Sequence, residues 1–340
     1  MSLSLSMPAP AVMPAPGDAP PALRHLLGIR GLTRSQAEAL LAEARSWKAA
    51  RAGRLQALSR RPLAGRRIVT VFYEPSTRTM TSFHVAAAAL GAEAVDLPVS
   101  RSSVQKGERL DDTLETLESL GADAVVLRHP QTGAAHYAAR HLSIPVINGG
   151  DGTGEHPTQA LTDALTILER RGRVAGLKVA ILGDIRHSRV ARSNALLLEL
   201  LGAEVWLSGP AAALPPAGAF GGARVTLNRD EALEGADVVM ALRVQRERQA
   251  RGLLPPPGAY RSRWGLDARD LERCSPDVVL LHPGPVNRDV EVDGRLLEDP
   301  RCAVLQQVAN GVAVRMAVLH TLLGQGGGRS WSTCSSAAGW

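Results

Sequence analysis

Short apolar runs alternate with stretches of helical spacing along most of the chain. Over residues 32–52 alanines and leucines recur every three or four positions, and Thr33 sits where a helix start is capped. Ile68-Val69-Thr70-Val71-Phe72 is apolar and β-branched, the composition of a buried strand. An Ala-rich run from Phe83 to Leu90 follows it and stops at Gly91, as a helix does. The spacing then predicts a strand over 92–99, a polar loop over 100–108, a helix over 110–120, a strand over 124–127, a weaker helix over 134–141 and a strand over 145–148. From Asn148 a Gly-rich turn runs into a helix that reaches about residue 170, with Pro157 in a position suited to the first helical turn.

The second half repeats the rhythm. A strand over 178–184 is followed by a helix over 190–201, strands over 204–207, 237–242 and 277–281, and a last helix over roughly 305–323. Strand and helix in alternation predict an α/β fold of two domains, each a mainly parallel sheet flanked by helices. Residues 1–21, rich in Pro, Ala and Ser, and the Gly- and Ser-rich residues 324–340 read as disordered.

Polar clusters fall where the predicted strands end, which is where open α/β sheets bind ligands. The first is Glu74-Pro75-Ser76-Thr77-Arg78-Thr79, with Ser76 or Thr77 as the N-cap of the next helix. Free N–H groups and the positive end of the helix dipole favour an anion there. Arg78 opposes the dipole and suits a phosphate. Further clusters are Arg128-His129-Pro130-Gln131, His156-Pro157-Thr158-Gln159, Arg189, Arg243-Val244-Gln245 and His282-Pro283-Gly284-Pro285.

Composition narrows the chemistry. No apolar stretch approaches a membrane span, and hydrophobic residues at 45% fit a globular chain. The formal charge is +6, yet aromatics are only 3%, too few for the stacking platforms of nucleic-acid binders. Small anionic substrates explain the basic excess as well. Only three of the 39 basic residues are lysines (Lys48, Lys106, Lys178), so each lysine is notable. Three scattered cysteines (Cys274, Cys302, Cys334) show no metal-ligand spacing and predict a reducing cytoplasm and no metal. The loop Gly183–Arg189 lacks G-x-G-x-x-G, which argues against a dinucleotide cofactor.

The set of motifs, taken in order, resembles the catalytic chains of the aspartate branch of the aspartate/ornithine carbamoyltransferase family, over residues 22–323. The ornithine branch carries a cysteine at the positions of Thr158 and Pro283, and its substrate needs a carboxylate where Lys106, Arg189 and Arg243 here offer cations. The resemblance implies transfer of a carbamoyl group from carbamoyl phosphate to L-aspartate, an early step of pyrimidine synthesis, without a cofactor. It implies that residues 22–160 with 305–323 bind carbamoyl phosphate, the terminal helix returning to the first domain, and that 161–304 bind aspartate.

Residue roles follow from the same resemblance. Ser76, Thr77, Arg78, Thr79, Ser102 and Arg128 hold carbamoyl phosphate, with Thr79, Arg128 and His156 at the carbonyl oxygen and Gln159, Gly284 and Pro285 at the carbamoyl amide. The family often has another residue in place of Gly284, which limits that position to a backbone contact. Lys106, Arg189, Arg243 and Gln245 take the aspartate carboxylates, while Glu74 and Arg248 form ion pairs on domain closure. Arg315 is expected to order the surroundings of Arg78, and Asp184 the Arg189 loop. His129, His187 and His282 are left without a chemical role.

Plainer readings exist for each. Arg78 suits a surface salt bridge, His156 a helix start satisfied by backbone, Arg189 and Arg243 solvated element ends, and Glu74 and Arg248 ordinary surface ions. The resemblance further implies a homotrimer whose sites are shared, Lys106 reaching a neighbour, with further assembly onto regulatory chains or a dihydroorotase left open. Nucleic acid and membrane are not expected partners. The alternatives are ornithine carbamoyl transfer and a non-catalytic anion-binding scaffold.

Overall fold

The computed structural model describes residues 22–52, 61–244 and 254–324. The N-terminal extension, the tail beyond Gly324, and the expected site residues Gln245 and Arg248 lie outside the described residues.

Helix α1 (Arg34–Ala52) comes first. Gln36 N–H donates to Thr33 Oγ1 at 3.2 Å and Thr33 N–H donates to Gln36 Oε1 at 2.9 Å, a reciprocal cap that satisfies two otherwise orphaned donors. Then follow β1 (Arg67–Phe72), α2 (Thr77–Leu90), β2 (Glu93–Leu97), α3 (Leu110–Ser119), β3 (Ala124–His129), α4 (Ala134–His141) and β4 (Val146–Asp151). These four strands lie in the order β2-β1-β3-β4, all parallel.

Helix α5 (Pro157–Arg171) leads to the second sheet. It is built from β5 (Lys178–Leu182), α6 (Arg189–Leu200), β6 (Glu204–Ser208), β7 (Arg224–Thr226), α7 (Arg229–Leu233), β8 (Val238–Ala241), α8 (Pro257–Trp264), α9 (Ala268–Glu272) and β9 (Val279–Leu281). Its order is β7-β6-β5-β8-β9, again parallel. Helix α10 (Val304–Leu323) then returns to pack on α1, α2 and α5. The expected α/β fold is the fold observed.

Both faces of each sheet are covered, which is why the strands read as apolar runs rather than as alternating ones. In β1, Ile68 points into a core shared with α1, α2, α5, α6 and α10, while Val69 and Val71 point into a second cluster under α3 and α4. The shared core joins the inner faces of both sheets through α5 and α10.

Three features differ from expectation. Strand β4 runs on through Gly149, Gly150 and Asp151, residues that read as a turn. Crowding explains the glycines: a Cβ on Gly149 would lie 3.3 Å from Leu127 O, and one on Gly150 would lie 3.0 Å from Arg189 Nε. Gly150 also has φ +117°, open to glycine alone at low cost. Segment 99–106 forms two short 3₁₀ turns instead of an open loop. Finally β7, α7, α8 and α9 are elements of three to eight residues, too short to form without tertiary contacts.

Candidate active site

The turn after β1 is capped by Ser76. Its Oγ accepts the Thr79 N–H at 3.4 Å, and its backbone is extended (φ −157°) before the helix begins at Thr77. Ser76 therefore takes the cap that the sequence left open between two residues. Thr79 is buried one turn in, and the exposed Arg78 stands on the first turn.

This turn opens onto a cleft of ≈ 860 Å³. Each sheet reverses its strand order once, between β1 and β3 in the first and between β5 and β8 in the second. Both reversals, the favoured ligand positions of open sheets, send residues to the cleft: Glu74 to Thr79 and Arg128 from one, Ser188, Arg189 and Arg243 from the other. His156, Gln159, Gly284, Pro285 and Arg315 also line it. Among the described residues, six guanidiniums (Arg78, Arg128, Arg189, Arg243, Arg288, Arg315) face one carboxylate, Glu74. Such a lining selects anions.

The cations press on one another. Partial desolvation, then the nearby Arg243, pull the Arg78 guanidinium below its ordinary value. Arg315 is buried, its charge disfavoured enough by desolvation to bring it down to about 10 despite the nearby Asp163. It donates to Gly311 O at 2.8 Å, and its Cζ stands 5.1 Å from the Phe83 ring centroid on α2. Burial first, and then Arg128, Arg189 and Arg315, push His156 well below the usual imidazole range. His156 is thus neutral at neutral pH. Its backbone N–H donates to Ser193 Oγ at 2.9 Å, and its buried Nδ1 has no hydrogen-bond partner among the described residues.

Glu74 joins the two halves. Its Oε2 accepts from Arg189 Nη1 at 2.8 Å and lies 3.6 Å from Arg128 Nε. The sequence reading gave Glu74 and Arg248 ion pairs on domain closure; Arg248 lies outside the described residues, and among those described Glu74 meets Arg189 and Arg128. Arg189 is the first residue of α6, capped by Ser188 Oγ, and it also donates to Gly152 O at 3.4 Å. Gly284 brings its backbone to Arg78: a Cβ there would sit 3.1 Å from Arg78 Nε, and φ is +66°.

Ser102 and Lys106 do not line the cleft of their own chain. Lys106 is exposed at the end of the second 3₁₀ turn. The three histidines without a role have structural partners. His282 Nδ1 accepts the Gly284 N–H at 2.8 Å, so its Nε2 carries the proton toward Glu291 Oε1 at 3.1 Å. His187 pairs with Asp184 at 2.8 Å, and His129 Nδ1 accepts the Gln131 N–H at 3.0 Å.

A family model described as the carbamoyl-P binding domain of aspartate/ornithine carbamoyltransferase matches residues 24–169, and one described as the Asp/Orn binding domain matches residues 175–322. The chain belongs to the aspartate/ornithine carbamoyltransferase family. It is 47% identical over 304 residues to an aspartate carbamoyltransferase catalytic subunit of Heliobacterium modesticaldum, covering 89% of this chain and 97% of that protein. With the corresponding subunit of Sorangium cellulosum it shares 50% over 305 residues, 88% of this chain and 92% of that one.

Solved carbamoyltransferase structures have the same fold. An aspartate transcarbamoylase of Trypanosoma cruzi in complex with carbamoyl aspartate and phosphate superposes with a TM-score of 0.77 at 29% identity, over 88% of this chain and 96% of that one. An ornithine carbamoyltransferase of Pyrococcus furiosus gives 0.80 at 28%, over 89% and 98%. Backbone likeness therefore does not separate the two branches, and the distinction falls to side chains in the cleft.

The sequence reading missed one buried group beneath this carbamoyltransferase cleft. Asp163 lies one helical turn beyond Gln159, on a helix whose neighbouring positions Ala160, Leu161, Ala164 and Leu165 are buried and apolar. An acidic residue on such a face is the signal that was available.

Proposed function

We propose that this chain transfers the carbamoyl group of carbamoyl phosphate to the amine of L-aspartate, giving N-carbamoyl-L-aspartate and phosphate. The observation that carries the proposal is the joining of two cationic clusters, one from each sheet's reversal point, around a single cleft. The names of the relatives at 47–50% identity support the aspartate branch.

In this reading the helix start and the side chains of Ser76, Thr77, Arg78, Thr79 and Arg128 cradle the phosphate, with Ser102 of a neighbouring copy. The planar guanidiniums form paired, charge-assisted bonds to its oxygens. The free amine of aspartate attacks the carbonyl carbon. The oxyanion that forms is met by Thr79, Arg128 and His156, and the neutral imidazole donates without adding a charge. The carbon–oxygen bond to phosphate then breaks, its electrons leave with the phosphate, and the amine releases one proton.

Gln159 and the backbone at Gly284–Pro285 hold the carbamoyl amide. Arg189, Arg243 and Gln245, with Lys106 from the neighbour, receive the two carboxylates of aspartate. Arg189 serves both Glu74 and a substrate because a guanidinium has five donors in a fixed fork. Glu74 with Arg189, and Arg248, fasten the halves on closure. The working form is a cytoplasmic homotrimer serving pyrimidine synthesis, with residues 22–160 and 305–323 as the donor domain and 161–304 as the acceptor domain.

Steady-state assays with aspartate and ornithine in parallel test the proposal. Carbamoylation of aspartate alone is expected. Turnover of ornithine but not aspartate would reverse the assignment, and turnover of neither would leave an anion-binding scaffold.

A further inference from the structure

Three amides converge on one carboxylate beneath the cleft. Asp163 on α5 is 0% exposed and does not itself line the cleft. Its Oδ1 accepts from Gln159 Nε2 and from Gln307 Nε2, each at 2.7 Å, and its Oδ2 accepts from Asn194 Nδ2 at 2.8 Å. An ionised carboxylate can only accept, so each amide has to turn its NH2 toward it. Burial pushes Asp163 up to about 6 against the three amides and Arg315, which leaves it a carboxylate at neutral pH.

The consequence for each amide is different. Asn194 Nδ2 bonds Val190 O as well, which anchors it to its own helix. Gln307, with its NH2 held by Asp163, uses Oε1 to accept the His282 N–H at 3.0 Å, at the strand end that leads to Gly284 and Pro285. Gln159 lines the cleft. With its NH2 held below, the end of its amide left for the cleft is the carbonyl oxygen.

We infer that Asp163 is a positioning residue: by turning the Gln159 carbonyl toward the cleft it sets the site's preference for an acyl donor that carries an N–H. The inference rests on the carbamoyl-transfer reading. A reversed Gln159 would set its own NH2 against the NH2 of a carbamoyl group and leave a buried donor unpaired, which costs more than an ordinary hydrogen bond contributes. An acetyl group has a methyl at that place and is indifferent to the reversal. Acetyl phosphate is therefore the matched probe.

The test is a double-mutant cycle of Asp163→Asn with Gln159→Met. It reads kcat/KM for carbamoyl phosphate and the inhibition constant of acetyl phosphate at fixed aspartate, with thermal melts to verify folding. Asp163→Asn is expected to lower kcat/KM about tenfold while the acetyl phosphate constant moves by less than about twofold. In the Gln159→Met background the same change is expected to have less than about a twofold effect on either. Equal losses for the two phosphates, or the full tenfold loss without Gln159, overturn the inference.

Should Asp163→Asn not fold, Gln159→Glu supplies the second arm. It sets two carboxylates in contact; Arg315 of α10 and the amides of Gln307 and Asn194 surround Asp163, while residue 159 shares the cleft with Glu74, His156 and the guanidiniums of Arg78, Arg128, Arg189, Arg243, Arg288 and Arg315. Such a pair has to share a proton. Its kcat/KM is expected to fall about tenfold more than that of Gln159→Met between about pH 6 and about pH 8; parallel profiles overturn the contact. Wild-type enzyme that does not turn over carbamoyl phosphate at all counts against the reaction, not against Asp163.

Discussion

Removing Glu74 probes the joint between the two sheets. The Glu74 side chain is 16% exposed, that of Arg189 4% and that of Arg128 12%, so the cluster is largely screened from water. At the 2.8 Å separation of Arg189 Nη1 and Glu74 Oε2, unit charges attract by roughly 6 kcal/mol at an effective dielectric of 20, before desolvation is subtracted. Removing one partner of a buried pair costs about 3–5 kcal/mol, because the other charge stays behind unpaired. Here two guanidiniums lose their carboxylate, though Arg128 keeps its bond to Gly149 O and Arg189 its bond to Gly152 O.

Glu74→Ala is therefore expected to lower the unfolding free energy of the unliganded protein by about 3–5 kcal/mol. Bound phosphate and aspartate bring anions to the same guanidiniums. The deficit is accordingly expected to shrink by about half or more when both are saturating. Urea unfolding followed by circular dichroism, with and without the two ligands, measures both quantities. An equal deficit in the two conditions would refute the idea that substrate anions and Glu74 engage the same cations. A deficit below about 1 kcal/mol would mean that the pair behaves as if it were solvent-exposed.

Two further outcomes follow from the site. The lowered His156 means that the unfolded chain takes up a proton there first as pH falls below about 6.5, so stability declines with falling pH; His156→Ala is expected to flatten that part of a stability-versus-pH series and to reduce kcat by roughly 10²–10³. Wild-type kcat with an unchanged acid slope would contradict both. If Lys106 completes a neighbour's site, inactive Lys106→Ala and His156→Ala chains, dissociated, mixed in equal amounts and reassembled, should regain about a quarter of wild-type activity, the chance that a site draws its intact residues from one chain of each kind; an inactive mixture would mean that each site lies within one chain.

Much of this was legible in the sequence where local chemistry is decisive. The β-branched run at 68–72, the hydroxyls at Ser76 and Thr77 and the stop at Gly91 each act within a few residues, and β1, α2 and their turn lie where those signals put them. What was not legible depends on contacts distant in sequence. Glu74 and Arg189 are 115 positions apart, and nothing local ties them. The extension of β4 through Gly149 and Gly150 reflects side chains from β3 and α6 pressing on its backbone, whereas two adjacent glycines alone read as a turn. Asp163 was hidden in a helix pattern dominated by apolar positions, and its meaning appears only once Gln307 and Asn194 arrive from α10 and α6. Ser102 and Lys106 are the converse case. Their motif is local and readable, but their own cleft does not contain them.

The most direct test is a competition in one tube: purified wild-type protein, carbamoyl phosphate, and equimolar aspartate and ornithine, with the carbamoylated product identified by mass. Cations at Arg189, Arg243 and Lys106, with no cysteine at Thr158 or Pro283, predict N-carbamoyl-L-aspartate as the product. Accumulation of citrulline instead would contradict the reading of the cleft.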